Sequence, residues 1–240
     1  MVNKGEEDRI RDKHVLSDDE RSRRTQIVRR SWAKQVSRYD KSMGFIERKL
    51  LGPEHRQWAA GKAEGDTLEV AIGTGLNITH YTADTRLSGI DLSPEMLDLA
   101  RARGRELNRQ IDLRVGDAHE LPYPDRSFDA VVCTYSLCNI PDHGLALSEM
   151  KRVLRSGGKL ILVDHVRSSF APLFWFQRFI EFFTLRLQGE TQTRRPLEQV
   201  VNAGFEITER DRMHAGVVER LVAVNQGAPV SDPTATRDHS

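Results

Sequence analysis

The segment Ala71-Ile72-Gly73-Thr74-Gly75-Leu76-Asn77 follows an apolar, β-branched run, and its two glycines allow a tight turn with close approach of the backbone to a ligand. An ordinary Gly-rich strand-to-helix turn would read the same way. Asp91 lies 18 residues beyond Gly73 at the end of the next such run. A carboxylate at a strand tip can accept hydrogen bonds from both hydroxyls of a ribose, which fits an adenosyl ligand of either nicotinamide or sulfonium type. The competing duty, capping the following helix, falls better to Ser93. The two ligand types separate near position 78, where a dinucleotide fingerprint places a third glycine for close pyrophosphate approach and this chain has Ile78.

These loops need strands and helices to hold them. TLEVAI (67–72), LSGIDL around 88–92, IDLRVG (111–116), FDAVVCTY (128–135) and GKLILVDHV (158–166) read as buried strands. Helical patterns intervene after Ser93 (PEMLDLARARGREL) and before the Ser156-Gly157-Gly158 turn (GLALSEMKRVLR). Strand–helix alternation implies a parallel sheet with crossover helices on both faces. FEITERDRM and VVERLVAVN are joined by only His214-Ala215-Gly216, too short for a crossover, so they are expected to form an antiparallel hairpin. The expected fold class is therefore α/β, a three-layer, doubly wound, mostly parallel sheet of seven strands with that hairpin at its C-terminal end.

With 240 residues, 38% of them hydrophobic and 30% charged, the chain is long enough for one domain with a closed core. A net charge of +1 supplies no global field for a polyanion. Sixteen of the first 30 residues are charged, so residues 1–16 are expected to be disordered. Ser17 and Glu20 form a capping-box pattern, and Ile27, Val28, Trp32, Val36 and Tyr39 recur near helical spacing; this predicts a helix over about 18–38 within a helical lid spanning 17–66. The main domain is expected to cover 67–225, with a helical insertion at 167–200 and a flexible tail at 226–240. Cys133 and Cys138 make neither a metal site nor a disulfide framework, which fits a reducing, cytoplasmic setting. No signal peptide or transmembrane segment is expected, because no stretch of eighteen apolar residues occurs.

LEVAIGTGLN, GIDLSPEMLDLARAR, GDAHELPYPDRSFDAVVCTYSLCNIPD and EMKRVLRSGGKLILVDHV, in that order and spacing, resemble the class I S-adenosylmethionine-dependent methyltransferases. The resemblance covers about residues 67–166 and is nearest to the small-molecule branches that include ubiquinone/menaquinone-biosynthesis and alkyl thiol methyltransferases. It implies a Rossmann-like methyltransferase fold that binds S-adenosyl-L-methionine and releases S-adenosyl-L-homocysteine. Carried over position by position, it implies that Ala71, Gly73 and Gly75 pass the backbone under the methionine moiety and that Glu69 braces the loop. The family's usual first glycine is replaced by Ala71. Asp91 would hold the ribose, Leu92 and Met96 would lie against the adenine, and Asp117, followed by Ala118, would accept the adenine amino group. As a plain turn Asp after Gly116, Asp117 has a simpler explanation. Thr134 resembles a residue at the cofactor's methionine end, and Tyr39-Asp40 an aromatic–acid pair on the lid; Tyr39 also fits the helix's apolar stripe.

A sulfonium makes its methyl group electrophilic, so methyl transfer asks chiefly that two reactants be held about 3 Å apart and aligned. A thiol, phenol or ammonium acceptor must also lose a proton. His165, at the tip of the fifth strand, is the candidate base, with His143 the second choice; His165 as a satisfied strand-end histidine is the plain alternative. Residues 170–183 hold seven of the chain's 16 aromatic residues, among them Phe174, Trp175 and Phe179. With His143, these three are the candidate acceptor contacts, pointing to a small apolar or aromatic acceptor; a core helix, a homodimer face or an interfacial helix flanked by Arg178 and Arg186 are the alternatives. The chain is expected to be a monomer or homodimer. Two other functions stay open: a methyltransferase fold that binds cofactor without methyl transfer or catalyses another reaction, and an NAD(P) oxidoreductase, which Ile78 and the lack of a Tyr-x-x-x-Lys pair disfavour. No nucleic-acid partner is expected, since Asn139-Ile140-Pro141-Asp142 lacks consecutive prolines and a stacking aromatic, and Arg21, Arg23, Arg24, Arg29 and Arg30 are interleaved with acids. No metal site is expected.

Overall fold

A computed structural model describes residues 16–47, 52, 54–165, 196–213 and 217–227. In chain order its elements are α1 (Asp18–Ile46), α2 (Glu54–Lys62), β1 (Asp66–Val70), β2 (Arg86–Asp91), α3 (Pro94–Glu106), β3 (Asp112–Val115), β4 (Phe128–Thr134), α4 (His143–Val153), β5 (Leu154–His165), α5 (Pro196–Asn202), β6 (Glu206–Met213) and β7 (Val218–Val224). The seven strands form one sheet in the order β3-β2-β1-β4-β5-β7-β6. β1 through β5 pair in parallel, and β7 runs antiparallel between β5 and β6. The expected α/β, doubly wound architecture and its C-terminal hairpin are borne out.

The period-2 alternation of the central strands explains the three layers. On β4 and β5, Val131, Cys133, Leu160 and Leu162 pack with Ala146, Leu147 and Met150 of α4 and Val200 of α5. Their neighbours Ala130, Val132, Ile161 and Val163 join a second core with Ala59 and Ala60 of α2 and Leu97 and Ala100 of α3. Successive apolar residues of these strands therefore point into two different cores, because both faces of the sheet are covered.

Helix starts follow the sequence closely. Ser17 Oγ accepts from the Glu20 amide at 3.3 Å, Ser93 Oγ from the Met96 amide at 3.2 Å, and Asp142 Oδ1 from the Leu145 amide at 3.1 Å. Two boundaries differ from expectation. α1 extends to Ile46, beyond the predicted end near 38. β5 begins at Leu154 and runs through the Ser156-Gly157-Gly158 step read as a turn. There Gly157 takes φ 78°, and the pairing with β4 jumps from Phe128↔Leu154 to Ala130↔Lys159, so the glycines make a bulge within the strand. The expectations for 1–15, for most of the 167–200 insertion and for 228–240 lie outside the described residues. No helix among the described residues is long and apolar enough to cross a membrane.

Candidate active site

β2 and β3 lie on one side of β1 and β4 on the other, so the strand order reverses between β1 and β4. Loops leaving adjacent strands at such a point diverge and open a crevice at their carboxyl ends. The crevice here is a pocket open to solvent at its mouth, a concave site of the kind that takes small molecules. Its wall is built from Val70, Ala71 and Gly73 at the end of β1, from Asp91, Leu92, Ser93 and Met96 around the tip of β2, from Gly116 to His119 after β3, and from Tyr135, Ser136, Asn139, Ile140 and Pro141 after β4. Val28, Arg29, Trp32 and Tyr39 of α1 roof it. α1 is tied down beside the Gly-rich loop, where Asp40 accepts from Thr74 Oγ1 at 2.6 Å and from Arg103 of α3 at 2.7 Å.

Asp91 ends β2 half-buried, with Oδ2 accepting the Gly73 amide and Oδ1 the Ser93 amide, each at 2.9 Å. Burial raises its pKa above the usual carboxylate value, against the pull of those amides. Each oxygen keeps a lone pair for a further donor. Gly73 has φ 57°, and a Cβ built on it would meet no atom within 4 Å, so its open side is a cradle rather than a packing contact. Gly75 also has positive φ, but a Cβ there would lie 2.3 Å from Ile78 Cδ1, so that glycine is required by packing against Ile78 and Ala100. Asp117 Oδ1 receives the His119 amide at 3.0 Å and has His119 Nδ1 at 2.6 Å. Burial alone would raise the Asp117 pKa, but these His119 contacts outweigh it and lower it.

Of the residues singled out in the sequence, Tyr39, Ala71, Gly73, Asp91, Leu92, Met96, Asp117 and Ala118 come together on this wall. Others stand behind it. Glu69 is buried and accepts from Asn77 Nδ2 at 2.8 Å and Tyr81 Oη at 2.9 Å, so it braces the loop from below. Thr134 Oγ1 is turned into the same network, accepting from Asn77 at 3.0 Å and Arg56 at 3.1 Å, because the chain turns into the pocket only at Tyr135. Gly75 faces the core for the packing reason above. His143 is buried as the first residue of α4, with Nδ1 2.6 Å from Gln199 Oε1 of α5. His165 ends β5 opposite Val218, and its side chain lies outside the described residues, as do Phe174, Trp175 and Phe179.

The sequence reading missed three participants. Arg56 of α2 is buried, ion-paired with Glu47 at 2.7 Å, bonded to Asn77 and Thr134, and stacked 5.1 Å from the Tyr135 ring centroid. It sits beneath Tyr39, whose pKa is pushed up to about 12 by burial against the lowering charge of Arg56. His119 and Asn139 also line the pocket, and Asn139 Oδ1 is buried there without a hydrogen-bond partner among the described residues. Nothing local in the sequence marks Arg56, whereas His119, two positions after Asp117, carried a signal of proximity.

Residues 68–162 match the family described as a methyltransferase domain. Over 149 residues the chain is 38% identical to the phosphatidylethanolamine N-methyltransferase of Cereibacter sphaeroides, a stretch that is 61% of this chain and 71% of that protein. Over 149 residues it is 37% identical to the demethylmenaquinone methyltransferase of Deinococcus radiodurans, covering 58% of this chain and 60% of the relative. Among solved structures, an S-adenosylmethionine-dependent methyltransferase from Thermotoga maritima shares the fold, with a TM-score of 0.65 at 21% identity over 82% of this chain and 99% of that one.

Proposed function

The chain belongs to the class I S-adenosylmethionine-dependent methyltransferases, and from that premise we propose that it transfers a methyl group to an O, S, N or C atom of a small, apolar or aromatic acceptor. The observation that carries this reading is the pairing of the Gly73 cradle with Asp91 and Asp117 on the wall of one largely apolar pocket. Two acids at the tips of neighbouring strands, with lone pairs left for a ligand, suit a nucleoside that offers ribose hydroxyls to one and an amino group to the other. Between them Leu92, Met96, Ala118 and Ile140 provide apolar faces for a flat base. The residues present therefore fit S-adenosylmethionine.

When bound, S-adenosylmethionine supplies a methyl group on a positively charged sulfur. The chain's own work is positioning and exclusion of water. Asp91 holds one end of the nucleoside, Asp117 the other, and Gly73 passes the backbone under the amino-acid portion without a side chain in the way. Trp32 and Tyr39, in edge-to-face contact at 5.5 Å, close the roof from α1. Arg56, pinned by Glu47, fixes the floor under Tyr39 and Tyr135. His165, at the tip of β5, remains the proposed base for an acceptor that must lose a proton. The aromatic-rich 170–183 segment and the two relatives named for lipid substrates, phosphatidylethanolamine and demethylmenaquinone, support an apolar acceptor.

The test is calorimetric titration of the purified protein with S-adenosylhomocysteine and, separately, NADH, followed by labelled methyl transfer to thiols, phenols, quinols and lipid amines. Micromolar binding of the first ligand alone and transfer to one acceptor class are expected. Binding without transfer to any class would favour the reading in which the fold holds the cofactor for another purpose. Binding of NADH alone would overturn the methyl-transfer reading.

A further inference from the structure

Away from α1, cations such as Lys62, Arg101, Arg114 and Arg152 are spent on the chain's own acids, Glu209, Asp98, Asp112 and Glu149. α1 differs. Its Arg23, Arg30, Lys34 and Lys41 are exposed, and none has a hydrogen-bond or ion-pair partner among the described residues. Successive members of this set are seven, four and seven residues apart, so at about 3.6 residues per turn they fall within about 40° of one another. They form one row along the helix, about 27 Å long at ~1.5 Å per residue. The acids of α1 do not interrupt it. Asp18, Asp19 and Glu20 occupy the first turn, Asp40 is bonded to Thr74 and Arg103, and no acid lies between Arg21 and Tyr39. The arginines expected to be interleaved with acids are instead flanked by them.

Two large apolar side chains accompany the row. Ile27 and Phe45 are 45% and 58% exposed, and both stand about 40° to the same side of it. Val28, Trp32 and Tyr39, which roof the pocket, lie on the opposite face of the helix. A helix that packs one face on the protein and turns uncompensated cations with apolar neighbours outward has the chemistry of an interfacial helix. Anionic headgroups would neutralise the row while Ile27 and Phe45 enter the acyl boundary beside it. A nucleic-acid backbone would match the cations but give the apolar pair nothing to bury against.

We propose that the outer face of α1 docks on an anionic lipid bilayer, so that the roof of the pocket is held at the membrane and the acceptor is drawn from the lipid phase. Docking stands on α1 by itself. Its consequence for the acceptor rests on the proposed methyl transfer to an apolar molecule, which it narrows to one that resides in a membrane.

The experiment is flotation of the full chain with vesicles of phosphatidylcholine alone and with phosphatidylglycerol added. Binding is expected only to the anionic vesicles and should weaken as ionic strength rises. A cation at such a surface is worth about fivefold in partitioning, so Arg30→Gln combined with Lys34→Gln should weaken binding by about 25-fold. Ile27→Ser combined with Phe45→Ser should weaken it as well while leaving the salt dependence in place. Arg101→Gln, which removes an exposed cation of α3, should change nothing. S-adenosylhomocysteine binding without lipid should be the same in Arg30→Gln/Lys34→Gln as in wild type, because the row faces away from the pocket, and this also shows that the variant is folded. Labelled methyl transfer to a quinol or lipid amine carried in anionic vesicles should fall in that variant.

Absence of binding to anionic vesicles, or undiminished binding by Arg30→Gln/Lys34→Gln, would overturn the proposal. So would a DNA duplex that binds as tightly as the vesicles at the same salt and is indifferent to Ile27→Ser/Phe45→Ser, since the partner would then be a nucleic acid. Vesicle binding by a wild type that fails to bind S-adenosylhomocysteine would uphold docking and remove the methyl-transfer reading.

Discussion

Asp66 opens β1 at the amino edge of the sheet and Asp91 closes β2 at the carboxyl edge, and the fold treats the two acids in opposite ways. Asp66 is met by two cations, Arg86 Nε at 2.5 Å and Arg155 at 3.1 Å, and hydrogen bonding to Arg86 lowers its pKa. The surrounding edge repeats the pattern, with Arg155 on Asp129 at 2.6 Å, Arg114 on Asp112 at 2.7 Å and Lys159 on Glu64 at 3.3 Å. Among the described residues Asp91 is met only by backbone amides, and burial raises its pKa. The same edge holds Ala71 at φ 55° and Tyr135 at φ 54°, two non-glycine residues in the left-handed region, both on the pocket wall. One edge neutralises its charges against one another. The other leaves Asp91 without a protein cation among the described residues and accepts backbone strain, as expected where a ligand and not the chain completes the interactions.

The sharpest test of that contrast is Arg56→Met. Beneath the carboxyl edge this guanidinium is the cation for buried Glu47 and lies among Asn77, Thr134 and Tyr135. Removing it leaves a buried carboxylate uncompensated, which typically costs ~3–5 kcal/mol. A large fall in denaturant midpoint is expected, and a change too small to measure would mean that Glu47 simply turns to solvent.

Asp91→Asn should separate folding from binding. The carboxylate makes no ion pair among the described residues, so the fold loses little beyond one acceptor for a backbone amide. A ribose loses a charge-assisted hydrogen bond, about 1.5–3 kcal/mol or roughly 10–100-fold in affinity. Calorimetry with S-adenosylhomocysteine and a thermal melt on the same sample should therefore disagree, with binding strongly reduced and melting nearly unchanged. Equal binding by wild type and variant would remove Asp91 from the ribose.

Glu69 gives the pH signature of the carboxyl edge. Burial pushes its pKa up from 4.5 to about 7, against hydrogen bonds from Tyr81 and Asn77. An acid whose folded-state pKa is raised binds its proton more tightly folded than unfolded, so its contribution to stability is most favourable below about 4.5 and declines as pH rises toward about 7, then levels off. The total is on the order of 3 kcal/mol. Glu69→Gln should abolish this part of the pH dependence, so the melting temperature of the variant relative to wild type should rise between pH 5 and 7.5. Parallel pH curves would show that Glu69 stays ionised in the fold.

The elements proved more legible than the interactions between them. Apolar runs such as AVV and LILV mark strands covered on both faces, and Ser17 and Ser93 mark helix starts, because each signal is local. Asp91 is legible as a strand-tip acid for the same reason, whereas Asp117 reads locally as a turn residue and only the family resemblance marks it. The different work of Gly73 and Gly75 was not, since two glycines in one loop look alike until Ile78 is seen to fill one side and nothing the other. The resemblance places Thr134 at the cofactor's methionine end, but the chain turns into the pocket one residue later, and Arg56, 78 residues away, claims the Thr134 hydroxyl. Buried polar networks of this kind are assembled from distant segments, and no periodicity reports them.

Ala71→Gly probes the strain on the carboxyl edge. A left-handed alanine costs about 1–2 kcal/mol, and glycine relieves that while adding freedom to the unfolded chain. A net gain of up to ~1 kcal/mol in unfolding free energy is expected from a denaturant titration. No gain would mean that the φ 55° backbone at Ala71 stores nothing.

The smallest effect belongs to the amino edge and is the control for all the others. Asp66→Asn removes the acceptor of two arginines that are themselves largely solvated, with side chains 70% and 40% exposed. Such pairs gain little because water and salt compete for both partners, and their median worth is ~0–1 kcal/mol. The loss should shrink further as ionic strength rises, since a Debye length of about 8 Å at physiological salt already screens neighbouring charges. S-adenosylhomocysteine affinity should not change. A loss of stability as large as that of Arg56→Met, or a loss of affinity as large as that of Asp91→Asn, would mean that the two edges are not divided between structure and chemistry, because a solvent-screened ion pair has no other route to effects of that size.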